Sequence, residues 1–133
     1  MLIYRLGALA AVILCAGLCC GCGAGQREVD SKETAAHFLA AMAGGDTRAA
    51  CELIATNTRE DLEKSEGQPC SSALESVDIS GGRIGEVAVW GDRAQARATS
   101  GTLFLVQLDT GWRVTAAGCT RSADGTYDCL LAA

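Results

Sequence analysis

In residues 86–97, EVAVWGDRAQAR, a valine or an alanine occupies every second position on both sides of the pair Gly91-Asp92. Alternation with a period of two is typical of a β-strand that has one buried face. A Gly-Asp pair between two such runs indicates a hairpin with a two-residue loop. In that register Trp90 faces Arg93 on one side of the sheet, while Val87 and Val89 meet Ala96 and Ala94 on the other side. The stretch therefore predicts the first hairpin of a half-buried sheet.

The same period of two continues to the end of the chain, and turn residues separate the runs. The connections are short, so consecutive strands are expected to pair antiparallel in a curved meander. The five predicted strands are RIGEVAVW (83–90), RAQARAT (93–99), TLFLVQL (102–108), WRVTAAGC (112–119) and TYDCLLA (126–132).

The residues before this sheet follow helical spacing instead. Ala35, Phe38, Leu39 and Met42 fall on one face of a first helix, which Asp30 is placed to cap, with Ser31 as the alternative cap. Helices followed by strands predict an α+β domain with the helices packed on one face of the sheet. Three further helices are expected: TRAACELIA (47–55) capped by Asp46, REDLEK (59–64) capped by Thr58, and PCSSALES (69–76) opened by Pro69.

The N-terminal residues indicate export. Arg5 precedes the apolar stretch 6–18, and small residues follow it, which is the plan of a secretory signal. We assign residues 1–21 to a lipoprotein-type signal peptide, 22–30 to a polar tether and 31–133 to a single domain. Cys22 is the predicted lipidation site, because glycines flank it on both sides. Cleavage after Gly25 and an uncleaved N-terminal anchor are the alternatives.

Export places the remaining cysteines in an oxidising compartment. Four cysteines allow three pairings. Proximity in sequence favours Cys51–Cys70 and Cys119–Cys129. The second pair is also natural in geometry, because directly opposed residues of a hairpin lie close enough for a disulfide.

Several classes of function lack a sequence signal. Basic residues do not cluster in this chain of net charge −5, so a nucleic-acid partner is not expected. After the leader, no CxxC or HxxxH spacing indicates a metal site, and no glycine-rich loop or Gly-x-Ser-x-Gly elbow indicates a cofactor or a nucleophile. We therefore assign no catalytic residue, metal or cofactor.

Two candidates for acid–base chemistry have simpler explanations. His37, the single histidine, falls off the apolar face of the first helix and is expected in solvent. Asp46 is explained by helix capping. A more promising surface is the sheet face with Trp90, Arg93 and Arg97, which is either a solvated face or a groove for an anionic ligand or partner.

The motifs FLAAMAGGDTRAACELIA (38–55), VWGD (89–92) and GWRVTAAGC (111–119), behind a lipoprotein-like leader, resemble a group of small secreted actinobacterial lipoproteins of uncharacterised role. The chain is also similar to the cone-shaped α+β fold of the nuclear transport factor 2-like superfamily. The resemblance implies the cysteine pairing given above. It implies little about activity, because this fold carries enzymes, binding modules and structural domains.

These observations predict a non-catalytic binding or accessory module of the cell envelope. Its anchor would hold it in membrane lipid on the outer face of the cell membrane, with an envelope protein or a small ligand as partner. The alternative functions are a small cone-fold enzyme with isomerase- or cyclase-like acid–base chemistry and a fully secreted domain. The enzyme requires His37, Asp46 or another carboxylate in an enclosed apolar cavity, and a cone filled by Phe38, Met42, Leu103 and Leu105 would exclude it.

Overall fold

A computed structural model describes the backbone of residues 22–133 and the side chains from residue 23 onward. The predicted signal peptide, 1–21, and the side chain of Cys22 lie outside the described residues. The elements in chain order are α1 Cys22–Ala43, α2 Thr47–Glu52, α3 Thr56–Glu66, α4 Cys70–Leu74, β1 Ile84–Trp90, β2 Arg93–Ala98, β3 Gly101–Leu108, β4 Gly111–Arg121 and β5 Tyr127–Ala132. No helix in this part of the chain has the length and apolar character needed to cross a membrane.

The five strands form one antiparallel meander in the order β1-β2-β3-β4-β5. The predicted α+β fold, with helices packed on a five-stranded antiparallel sheet, is confirmed. The first hairpin also has the predicted register, with Trp90 opposite Arg93 and Val89 opposite Ala94. Irregularities interrupt the pairing in β1 between Ile84 and Val87 and at two points between β3 and β4. Such bulges bend a strand and increase its twist.

The first helix starts earlier than predicted. It begins at Cys22, so residues 22–30 are helical and the predicted tether is the first part of α1. Asp30 lies inside this helix and does not cap it. Its backbone carbonyl accepts a hydrogen bond from Thr34, and its carboxylate accepts one from Gln26. These contacts follow i,i+4 spacing and support helix in a stretch that lacks an apolar face.

The predicted cap of α2 is confirmed, whereas that of α3 is wrong. Asp46 accepts a hydrogen bond from the Ala49 amide at 3.1 Å. Thr58 lies within α3, whose N-terminal neighbour is Ala55. The Thr58 side chain is fully buried, and its hydroxyl donates to the carbonyl of Thr115 at 3.0 Å, which joins α3 to β4.

Both predicted disulfides are present. Cys51–Cys70 joins α2 to α4, with the two α-carbons 6.1 Å apart. Cys119–Cys129 joins β4 to β5 at directly opposed positions, with the α-carbons 3.9 Å apart. Gly125 has φ +90° in the loop between these strands, where its backbone amide donates a hydrogen bond to the carbonyl of Ser122. Glycine is suited to this left-handed conformation because it has no β-carbon.

The core lies between the helices and one face of the sheet, which we call the inner face. Phe38 and Leu39 of α1 are at most 1% exposed, as are Leu103 and Leu105 of β3 opposite them. Fully burying a side chain of this size stabilises the fold by roughly 1.5–3 kcal/mol. Met42 is partly buried and packs against the same cluster. The residues predicted to fill the domain therefore do so.

α1 runs antiparallel to β1 across this core. At its C-terminal end the packing is tight, since a β-carbon built on Gly81, just before β1, would lie 2.7 Å from that of Ala43. At its N-terminal end Arg27 donates to the carbonyl of Gly91, just after β1. The first turns of α1 therefore lie at the end of the sheet that carries the β1–β2 loop.

Candidate binding surface

The inner side of the domain offers no acid–base pair among residues 23–133. His37 and Asp46 are both exposed, and neither points into the core. The buried polar side chains in this part of the chain are hydroxyls, Ser31 and Thr58, and each donates to a backbone carbonyl. The space between the helices and the sheet is occupied by apolar side chains.

The opposite face of the sheet, the outer face, carries the predicted surface residues. Trp90 pairs with Arg93, Arg93 with Val106, and Val106 with Arg113, so these four residues form a row across β1, β2, β3 and β4. Trp90 is 50% exposed, whereas Val106 is 8% exposed. The row therefore offers an aromatic ring and two guanidinium groups around a small apolar floor.

Arg113 was not part of the predicted surface. Its place in the row depends on the pairing of β4 with β3, which the hairpin around Gly91 does not fix. Its guanidinium donates to the carbonyls of Trp112 and Thr110, and no carboxylate in the described part of the chain forms an ion pair with it. Its charge is consequently less neutralised than that of Arg93, which lies 3.5 Å from an oxygen of Asp92.

Arg97 lies on the same face, farther from Trp90. Its guanidinium is 3.8 Å from a carboxylate oxygen of Glu86, so the two side chains form an ion pair between β1 and β2. Both side chains are mostly exposed, and such a pair contributes at most about 1 kcal/mol. Arg97 also lines an open depression of about 430 Å³ beside the irregularity in β1, together with Arg83, Ile84, Gly85, Ala98 and Thr99.

Between Arg93 and Arg97, the outer face is held together by contacts of two aromatic side chains. The rings of Phe104 and Tyr127 meet edge to face with centroids 5.0 Å apart. The Gln95 amide donates to the Tyr127 hydroxyl at 3.0 Å, which links β2 to β5 over the face. Because β3 and β4 separate those strands, the contact fixes the curvature of the sheet beneath the arginines.

A second group of contacts lies at the N-terminal end of α1, where the sequence predicted a free tether. Arg27 donates from Nε to Oε1 of Gln107 at 3.1 Å, and its guanidinium carbon lies 5.8 Å from the centre of the Trp112 ring. A cation over an aromatic ring is attracted by the negative face of that ring. Arg27 therefore fastens α1 to the sheet. This contact could not be predicted, because residues 22–30 have no apolar periodicity that would indicate a packed helix.

Residues 23–133 contain no group of three or more His, Cys, Asp or Glu side chains placed to hold a metal ion. No protein-family model matches the chain, and no curated protein or solved structure is significantly similar to it. The resemblance to actinobacterial lipoproteins and to nuclear transport factor 2-like domains therefore stays a prediction.

Proposed function

We propose that the protein is a membrane-anchored, extracytoplasmic accessory module that binds an anionic partner through the outer face of its sheet. The leader and the glycine-flanked Cys22 support the anchor. The two disulfides indicate an oxidising compartment outside the cytoplasm. The filled core leaves the exposed surface as the place where recognition chemistry is available.

The observation that carries the binding role is the row formed by Trp90, Arg93, Val106 and Arg113. Tryptophan and arginine are the side chains most enriched at energetically important contacts between macromolecules. Arginine binds carboxylate and phosphate groups through paired N–H donors, and an adjacent aromatic ring supplies apolar area. An anionic partner with an apolar portion fits this combination.

The anchor is tested by fractionating cells that express the full chain. Cys22→Ser is expected to move the protein from the membrane fraction to the soluble extracytoplasmic fraction. Cys20→Ser is the matched control, because it changes a neighbouring cysteine of the leader, and it is expected to leave the protein in the membrane. Membrane retention of the Cys22→Ser variant would contradict lipidation at this residue.

The binding face is tested by photo-cross-linking in intact cells. A photoreactive amino acid at position 93 reports on the outer face, and the same amino acid at His37 reports on an exposed helix surface. We expect adducts from position 93 and not from position 37. Equal labelling, or none from either position, would contradict a binding role for this face.

A further inference from the structure

The end of the domain nearest the predicted anchor has unusual surface chemistry. We define the α1 tip as residues 22–29 of α1 together with the loop regions 90–93 and 108–111. Large hydrophobic side chains that are exposed in the described part of the chain are Val29, Trp90, Leu108 and Leu130. Three of these four belong to the α1 tip.

The α1 tip is one connected structure. The Gln107 amide, next to Leu108, donates to the Asp92 carbonyl at 2.7 Å, which joins the two loop regions. Arg27 bonds to the Gly91 carbonyl and to the Gln107 side chain, which joins α1 to both. The exposed hydrophobic side chains are therefore held in a fixed arrangement and do not depend on a mobile loop.

The position of the anchor relative to the α1 tip follows from the helix. Cys22 is five residues before Arg27. At 1.5 Å of rise per residue the two are separated by about 7.5 Å along the helix axis. No flexible segment intervenes, because α1 begins at Cys22. A lipid on Cys22, or an uncleaved anchor formed by the apolar stretch 6–18, would thus bring the bilayer to the same end of the domain.

Charge also favours this arrangement. The α1 tip and the adjoining Arg113 contain three arginines (Arg27, Arg93 and Arg113) and three acidic residues (Glu28, Asp92 and Asp109), so this end of the domain is neutral in a chain whose net charge is −5. Arg113 forms no ion pair with a carboxylate in the described part of the chain, which leaves its guanidinium available to a phosphate group. Arginines near a membrane are attracted to anionic phospholipids, and tryptophan is enriched at the level of the headgroups.

We propose that the α1 tip is a bilayer-contact surface, in which Trp90 and Leu108 enter the interface of an anionic phospholipid leaflet while Arg93 and Arg113 meet its phosphate groups. This inference rests on the proposed function, because it requires the anchor. It names phospholipid as the anionic partner of the Trp90 end of the outer face. It also implies that the domain is held upright, with the strands pointing away from the membrane.

The test uses the full anchored protein, extracted from membranes and reconstituted into vesicles that contain phosphatidylglycerol with brominated acyl chains. Bromine quenches the fluorescence of a tryptophan in contact with it. We expect strong quenching in the natural protein and loss of the quenched component in Trp90→Phe, which leaves only the buried Trp112. Leu108→Ser should weaken the quenching, and the control Leu130→Ser, which removes the exposed leucine outside the α1 tip, should not.

If the protein stays bound to the vesicles but bromine does not quench the fluorescence of Trp90, the proposed bilayer contact is wrong. The proposed anchor would be unaffected by that result. Protein that does not stay on the vesicles and whose mass shows no lipid would overturn the proposed anchor instead. Equally strong quenching in vesicles of brominated phosphatidylcholine alone would contradict a preference for anionic lipid due to Arg93 and Arg113. Double substitution Arg93→Gln/Arg113→Gln is expected to reduce quenching in the anionic vesicles.

Discussion

Arg27 and Gln107 are eighty positions apart in sequence, yet the Nε of the first lies 3.1 Å from the Oε1 of the second. This hydrogen bond, with the contact of Arg27 to the Trp112 ring, fastens the start of α1 to the β3–β4 hairpin. It turns the segment expected to be a tether into a rigid connection between Cys22 and the sheet. Under the proposed anchor on Cys22, the orientation of the domain at a membrane would depend on that connection.

Substitution of Arg27 tests this connection. Arg27→Ala removes the hydrogen bonds and the cation–π contact, which together stabilise the docked helix by about 1 kcal/mol, so local opening should increase about fivefold. Amide hydrogen exchange should become faster in residues 22–30 and stay unchanged in the core. Arg48→Ala, on an exposed position of α2, is the control. Unchanged exchange in α1 would show that Arg27 does not hold the helix.

Each disulfide should contribute substantially to stability. Replacing Cys51 and Cys70 together by alanine is expected to lower the free energy of unfolding by about 3 kcal/mol, because the bridge closes a loop in the unfolded chain. The loss should be smaller for Cys119 and Cys129, since their sequence separation is 10 residues against 19. Urea titration of the two double variants measures both. A loss below about 1 kcal/mol for either pair would contradict the closed-loop effect.

The buried hydroxyl of Thr58 should stabilise the contact between α3 and β4. Thr58→Val keeps the shape but removes the hydrogen bond to the Thr115 carbonyl, and we expect a loss of about 1–2 kcal/mol. Thr58→Ser keeps the donor and should recover part of that loss. Thr56→Val, at an exposed position of the same helix, should change the stability little. Equal stability of the valine variants at positions 56 and 58 in thermal unfolding would refute this contact.

Asp124 provides a pH-dependent contribution in the β4–β5 loop. The hydroxyl and amide of Thr126 donate to its carboxylate, and they hold its pKa below the ordinary value. A carboxyl whose pKa is lowered on folding adds stability above its unfolded pKa, and that stability is lost as the pH falls through the folded pKa. Thr126→Val should move the pKa of Asp124 upward in an NMR titration, whereas Thr126→Ser should leave it lowered. An Asp124 pKa that is the same in all three proteins would exclude the Thr126 hydroxyl as the cause.

Much of the sheet was predictable because its registers are local. The Gly91-Asp92 loop fixes the partner of Trp90, and the Cys119–Cys129 pair is consistent with only one register of the last hairpin. Period-two alternation gave the strand limits to within a few residues. Trp90 and Arg93 of the first hairpin could therefore be assigned to one face of the sheet from the sequence.

The remaining features depend on contacts that a local pattern does not encode. The start of α1 is held by Arg27, whose partners are distant in sequence, so residues 22–30 resemble an unstructured tether. Thr58 has the spacing of a cap, but tertiary packing places it inside a helix. The place of Arg113 in the outer row follows from pairing across β3 and β4, where the irregularities in register could not be foreseen.

We propose that this domain works at a membrane through a lipid on Cys22, and the intact mass of the membrane-extracted protein before and after reduction tests this proposal. We expect a chain that starts at Cys22, carries the mass of two or three acyl groups, and gains four hydrogen atoms on reduction of its two disulfides. A chain that starts at Gln26 without added lipid mass would refute lipidation of Cys22.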